Sequence, residues 1–476
     1  WSSRRLLEQA RRRELAQARK QIEAVPVETF ARFLQRWQHL TPDTQLTGGG
    51  SDAASTALSQ LYGLARPAEG WERDYLPARL EEYHSGQIAS LAASGALVWS
   101  AEPRPDPSAN GVGSIGRVRF FERGTGRLWL GEPPDDSALS ENARRVRDVL
   151  RTQGASFTAD LSAATGLSAI ALRDALRELV AAGIATNDTI DALRDVLRWR
   201  PVFPVRRHEE PDPTRWLPAD FVPSGRPIVQ RRVNPRRLAK WVRPEKASAA
   251  GWGGRWSLVH IPSTLGTHQD VQAAAERIAR QWLARYGIVS RDWWRRERPA
   301  VGWREIYHEL KRLEFRGDVR RGYFVAGLAG AQFALPEAVE MLRAPAGGDE
   351  ATVVMASSDP ANAYVLPTQQ GTTPNPLARP RGAGALLVTR AGKIVLTAEG
   401  RGTRLRIRED ATADEVRDAA RALAERLVAR QRSARRRDVL VETIDGERAA
   451  LSRWASALRE AGFKGMGTGL RFYALI

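Results

Sequence analysis

Two sets of side chains in this sequence have the types and spacing for chemistry. The larger is basic and aromatic. Arg231, Arg232, Arg236, Arg237 and Lys240 surround Trp241 within residues 225–246, where eight basic residues meet one acid. Such a stripe suits tracking a phosphate backbone while an indole stacks a base. It reads equally as an ordered loop whose tryptophans (Trp216, Trp241, Trp252, Trp256) plug gaps between domains. A second basic group comprises Arg304, His308, Lys311 and Arg312, followed by Arg320 and Arg321. The smaller set is polar. Asp359, in SSDPAN, has the chemistry for general acid–base or water-orienting work, as do the neighbours Gln38 and His39. Asp-Pro-Ala-Asn is also a turn-forming sequence, so Asp359 stands as site or as turn.

Other chemistry is absent from the sequence. There is no cysteine, which removes disulfides, thiolate metal sites and cysteine catalysis. No GxxxxGK[ST] phosphate loop, HExxH pair or GxSxG elbow occurs. The six histidines are scattered, so no metal site is expected. No run approaches the roughly 20 apolar residues of a membrane helix, and no signal peptide is visible. A soluble intracellular chain is expected. It starts at Trp1 and runs straight into helix, as a piece of a longer polypeptide would. The net charge of +18 favours an anionic partner, and nucleic acid first. Only six of the 73 basic residues are Lys, a bias toward the side chain that forks phosphate and guanine, although a GC-rich genome produces it too.

The elements that must position these groups are mainly helices with small sheets. Residues 1–52 read as a helical lead-in, with Phe30, Phe33, Leu34 and Trp37 at helical spacing. Three stretches read as winged helices: 53–131, 137–200 and 266–345. In the first, Ser85 is placed as a helix cap. In the second, Ser168 caps a helix that buries Leu172, Leu176, Leu179 and Val180. In the third, a helix from Trp303 to Phe315 stops at Gly317, and a basic hairpin presents Arg320 and Arg321 as its wing. Recognition helices of such modules enter a major groove while wings hold phosphates. The same modules also bind proteins or one another. Residues 201–265 read as a basic connector and 346–382 as a linker. Residues 383–476 read as an α+β, β-barrel-like domain with strands ALLVT, KIVLTAE and RLRI and helices at 412–431 and 448–461.

Several longer strings go together: FLQRWQHL (33–40), WERDYLPARLEEY (71–83), ATND (185–188), GRWSLV (254–259), RGDVRRGYFVAGLAGAQFALP (317–336) and SSDPAN (357–362). They resemble the C-terminal region of the large helicase-related proteins, Lhr, a bacterial superfamily 2 group. The resemblance implies a missing ATPase core, dependent on ATP and Mg, that moves 3′ to 5′ on DNA in repair. It implies no cofactor in this chain. The partner would be DNA, single-stranded or forked, or an RNA:DNA hybrid, in a cytoplasmic, nucleoid-associated homotetramer. It also implies likeness in fold to AlkZ-type DNA glycosylases, and hence two rival readings: base excision, or a pure assembly scaffold. AlkZ-type enzymes use a Gln–apolar–Gln motif. TQQG (368–371) lacks the apolar residue, so no glycosylase site transfers.

Overall fold

The computed structural model describes residues 23–48, 50–104, 114–135, 137–199, 252–268, 270–344, 351–366, 377–378, 380, 382, 384–431 and 438–473. Most of the first expected helix, the basic stripe at 231–241 and TQQG lie outside them.

Three winged helices follow in order. The first runs α2 (Ser51–Gln60), β1 (Arg66–Pro67), α3 (a π-turn Trp71–Tyr75 continuing as Leu76–Arg79), α4 (Ser85–Ala93), β2 (Leu97–Pro103) and β3 (Ile115–Glu122), with sheet order β1-β3-β2. His84, not Ser85, is the residue before the first turn of α4. The second runs α5 (Glu141–Gln153), β4 (Ser156–Phe157), α6 (Thr158–Thr165), α7 (Ala169–Ala181) and β5 (Ala185–Asn187). Ser168 caps α7 as expected, accepting a hydrogen bond from the Ala171 amide.

The second module does not end near residue 200. Its last strand is β6 (Arg255–Leu258), which pairs antiparallel with both β5 and β4. The basic connector expected at 201–265 is therefore an excursion between two paired strands of one sheet. It leaves through α8 (Ile190–Arg198), and the returning Trp252 and Trp256 are buried in the core. Those two indoles fill the core side by side, tilted 35° with centroids 5.8 Å apart, and Trp199 packs edge-on to Trp252.

The third module runs α9 (Val271–Tyr286), β7 (Ile288–Val289), α10 (Arg291–Glu297), α11 (Trp303–Arg316), β8 (Arg320–Gly322) and β9 (Gln332–Ala334). Gly317 ends α11 at φ +90°, a left-handed conformation that strains any side chain with a Cβ. Its core takes in α1 (Val27–Trp37) through Phe30, Phe33 and Leu34, and α12 (Pro336–Arg343). The first two modules instead share one core. Each large apolar side chain buried there contributes about 1.5–3 kcal/mol.

The stretch read as a linker contributes β10 (Thr352–Ala356), the first strand of the C-terminal sheet. That sheet orders β10, β11 (Leu386–Arg390), β12 (Lys393–Glu399), β13 (Arg404–Ile407), β15 (Thr443–Ile444) and β16 (Glu447–Arg448). Ala391 and Gly392, at φ +48° and +85°, make the two-residue turn between β11 and β12. A Cβ on Gly392 would meet the Glu28 carbonyl of α1 at 2.1 Å. A second sheet orders β14 (Asp438–Val441), β18 (Gly469–Tyr473) and β17 (Lys464–Met466). Neither sheet closes into the expected barrel among the described residues. The helix α13 (Ala413–Arg430) lies against β10, β11, β12 and β14, so its apolar face fills the space that closure would need. The helix expected at 448–461 shrinks to α14 (Ala455–Glu460).

Candidate nucleic-acid interface

In a winged helix the helix before the hairpin is the one that can enter a groove, and the three here are not equivalent. The α4 sequence SGQIASLAA has no charge, and its Ser85 carbonyl accepts from Arg194 of α8 at 2.7 Å. Helix α7 is occluded. Leu172, Leu176, Leu179 and Val180 enter the core shared with Trp99, Val118 and Phe120 of the first module. The Thr186 hydroxyl donates to the Trp99 carbonyl at 2.7 Å across the same joint. Its basic side is capped as well: Arg173 lies under the Trp199 ring at 5.4 Å, and the Trp199 indole donates to Asp174 at 2.7 Å. The second module spends its recognition helix on intramolecular packing.

Helix α11 is open. Ile306, Leu310 and Leu313 are buried on one side. Arg304, His308, Arg312 and Phe315 are exposed, with Lys311 half-buried. At about 100° per residue, Arg304, His308 and Phe315 fall on one line opposite the buried side. Arg312 is held by Glu309 at 2.8 Å, and the Lys311 ammonium sits 5.4 Å over the Tyr307 ring. Arg304, His308 and Arg312 are exposed, off the buried face as their spacing predicts; Phe315, which the sequence did not single out, lies on the same exposed line, and Arg316 is exposed beside it, paired with Asp318 at 3.1 Å. Helical periodicity alone would have found them.

The wing corrects the other half of the expectation. Arg320 and Arg321 lie on β8, where the pleat sends neighbours to opposite sides. Arg320 is exposed, while Arg321 turns in to the Tyr307 hydroxyl at 3.3 Å. The true wing is apolar and largely covered: Phe324, Val325 and Leu328 are buried. The Val25 amide donates to the Phe324 carbonyl and the Ala326 amide to the Val25 carbonyl, both at 2.8 Å. Buried Gln332 accepts from the Phe324 and Val325 amides at 2.9 and 2.8 Å. Tyr323, 64% exposed, is the aromatic left at the surface.

The polar candidates are brought together, though not at a surface. Arg79, at the end of α3, donates to both Asp359 oxygens at 3.0 and 2.8 Å and to the Gln38 side chain at 2.8 Å. Gln38 donates onward to the Arg285 carbonyl at 3.0 Å. Asp359 also accepts from the Ala361 amide at 2.9 Å. Side-chain exposure is 0% for Arg79 and 1% for Asp359. A carboxylate with both oxygens engaged and no surface cannot hand a proton to a base or orient a water in this arrangement. His39, at φ +62°, ties its ring to the Thr44 carbonyl at 2.9 Å, and burial lowers its pKa below the ordinary histidine value. Asp359 sits in a turn, and the turn is a junction between α1, α3 and the C-terminal sheet. Among the described residues no group of His, Asp and Glu is placed to hold a metal. No described helix is long and apolar enough to cross a membrane.

A tandem winged-helix protein with one basic recognition helix open, one neutral and one buried is the class that fold and surface define. Two family models match it, both described as a winged-helix domain of the large helicase-related protein, over residues 25–123 and 268–354. The two matched stretches are winged-helix domains of the large helicase-related protein family, and the chain is similar along most of its length to members of it. It is 31% identical over 461 residues to the Lhr helicase/probable uracil glycosylase of Mycolicibacterium smegmatis, covering 94% of this chain and 28% of that protein. To the Lhr helicase/uracil glycosylase of Escherichia coli it is 28% identical, covering 99% of this chain and 30% of that protein. The chain thus spans less than a third of these relatives. Among solved structures, the Streptomyces sahachiroi DNA glycosylase AlkZ aligns over 86% of this chain and 97% of its own, at 14% identity and a TM-score of 0.47.

Proposed function

We propose that this chain is the DNA-binding and self-associating module of an ATP-driven 3′–5′ repair helicase. The observation that carries the reading is the exposed line Arg304, His308, Arg312 and Phe315 on α11, in a molecule of net charge +18 whose other two recognition helices are neutral or buried. Guanidinium groups on that line would neutralise phosphates, and Phe315 offers a ring to an unstacked base. The names of both curated relatives, each a helicase, support the parent activity. The basic stripe Arg231, Arg232, Arg236, Arg237, Lys240 and Trp241 would add a second contact from the excursion between β5 and β6. Single-stranded and forked DNA are the proposed partners, with an RNA:DNA hybrid as an alternative duplex and a homotetramer as the assembly.

Fluorescence anisotropy on a forked DNA, repeated across salt concentrations, tests this. Each phosphate contact contributes about 0.9 to the slope of log affinity against log salt. R304E/R312E is expected to lower that slope by about 2 and weaken binding at least tenfold at low salt. Reversal at Arg231, Arg232, Arg236 and Arg237 is expected to lower it by about 4. Salt-insensitive binding, or unchanged slopes in both variants, would leave the scaffold reading in its place.

Base excision is the second reading, favoured by the uracil glycosylase named in both curated relatives. It needs an open pocket with an acid or amide beside a flipped base, and buried Asp359 does not supply one. Incubation with uracil-containing DNA should yield abasic sites if the reading holds, and no product above the background of heat-denatured protein if it does not.

A further inference from the structure

We propose that the cleft between α11 and the wing of the third module holds an unpaired DNA base stacked on Tyr323, which makes this face select single strands over duplex. The proposal rests on the reading of α11 as the DNA contact and names what that contact selects. Tyr323 is 64% exposed, and among the described residues it makes no hydrogen bond and no ring contact. Its backbone is nevertheless fixed on both sides. Gly322 pairs with Gln332 in the sheet. The Phe324 amide donates to the Gln332 side chain at 2.9 Å, and the Phe324 carbonyl accepts from the Val25 amide at 2.8 Å. Further round the wing, the Ala329 amide donates to buried Asp292 of α10 at 2.8 Å. The fold gains nothing from a ring held in water. A ring fixed in advance loses little entropy when a ligand stacks on it.

The ring has company. Phe324 is buried, so its neighbour points outward, and two positions along an extended chain return Tyr323 to the side of Arg321. That side faces α11: Arg321 reaches the Tyr307 hydroxyl at 3.3 Å and Glu314 at 3.8 Å. Tyr323 therefore stands about 7 Å beyond Arg321, at roughly 3.3 Å per residue. On α11, half-buried Trp303 and Tyr307 lie one turn apart with ring centroids 6.0 Å apart, and the Trp303 indole N–H has no partner among the described residues. Lys311 covers Tyr307 at 5.4 Å, and Arg304 and His308 lie exposed on the adjoining line. An exposed aromatic standing singly needs no explanation. Trp303, Tyr307 and Tyr323 around one basic cleft do. Rings interleaved with cations bind single strands, because every base has a π-face while the cations follow the backbone. In a duplex those faces are already stacked on neighbouring pairs, and the ring finds nothing to take.

Fluorescence anisotropy with a single strand of about 16 nucleotides, and with the duplex it forms, tests the site. Y323A is expected to weaken single-strand binding about tenfold and duplex binding less than about twofold. Its salt slope should match wild type, because no phosphate contact is lost. Y323F should bind as wild type does, since the ring and not the hydroxyl takes the base. At 64% exposure the substitution leaves the core intact, and unchanged circular dichroism confirms it. Wild-type single-strand affinity in Y323A, equal losses on both DNAs, or Y323F behaving as Y323A overturns the proposal. A lower particle mass in Y323A with DNA affinity intact assigns Tyr323 to a protein contact and overturns it too. The two tests on this face fail separately. If R304E/R312E still lowers the salt slope while Y323A changes nothing, only the base site falls. If R304E/R312E leaves the slope unchanged, the reading of α11 itself falls.

Discussion

Replacing Glu297 with Gln is expected to lower the unfolding free energy by about 3–5 kcal/mol near neutral pH, the range for removing one partner of a buried ion pair. Glu297, at the end of α10, accepts from Arg285 at 2.6 Å on each oxygen, from the Trp282 indole at 2.7 Å and from the Tyr286 hydroxyl. Arg285, 0% exposed, reaches on to the carbonyls of Gln60 and Tyr62, so the cluster joins the third winged helix to the first. Burial pushes the Glu297 carboxyl up, but the Arg285 guanidinium and the Tyr286 hydroxyl outweigh it and hold it below the usual carboxylate range. A depressed carboxylate contributes stability that is fully present above its unfolded value, about 4.3, and is lost as pH falls through the lower folded value. Urea midpoints of wild type and E297Q should therefore differ most near neutrality and draw together only as pH falls below the ordinary carboxylate value of about 4.3 and through the lower folded one. A gap that stays constant through the acid range would show that the pair is not ionic.

Asp359→Ala is expected to cost a similar amount, about 3–5 kcal/mol, because it strands a fully buried guanidinium. Among the described residues Arg79 meets no second acid, and its Nε has no hydrogen-bond partner. The double variant R79M/D359A should recover much of the loss, since replacing both members of a buried pair by apolar groups is often near neutral. Asp359→Asn separates structure from chemistry. It should lower the urea midpoint while leaving any base excision unchanged at a temperature where the variant is folded. Abolished excision in a folded D359N protein would reverse the assignment and make Asp359 catalytic.

The helices of all three winged modules were legible because their apolar residues recur at helical spacing and their ends are marked. Ser168 and Gly317 act as the caps their types suggest. Arg304, His308 and Arg312 were legible as a solvent-facing line for the same reason: periodicity that buries Ile306 and Leu310 turns them outward. Strand β6 was not, because its partner β5 lies across residues 188–254 and strand pairing leaves no local mark at that distance. Arg320 and Arg321 were read as a pair, yet the pleat separates them.

By itself the sequence determined helices and small sheets of winged-helix type, a strongly positive charge, and which face of α11 is polar. These depend on local periodicity, on capping side chains and on the composition of the chain. Only the tertiary structure decided which recognition helix stays open and that Arg79, Asp359, Arg285 and Glu297 lie inside the molecule. Partners such as Arg79 and Asp359 are 280 positions apart. A charge written in a sequence looks like any surface charge until packing removes the water around it, and packing is settled by segments far away along the chain.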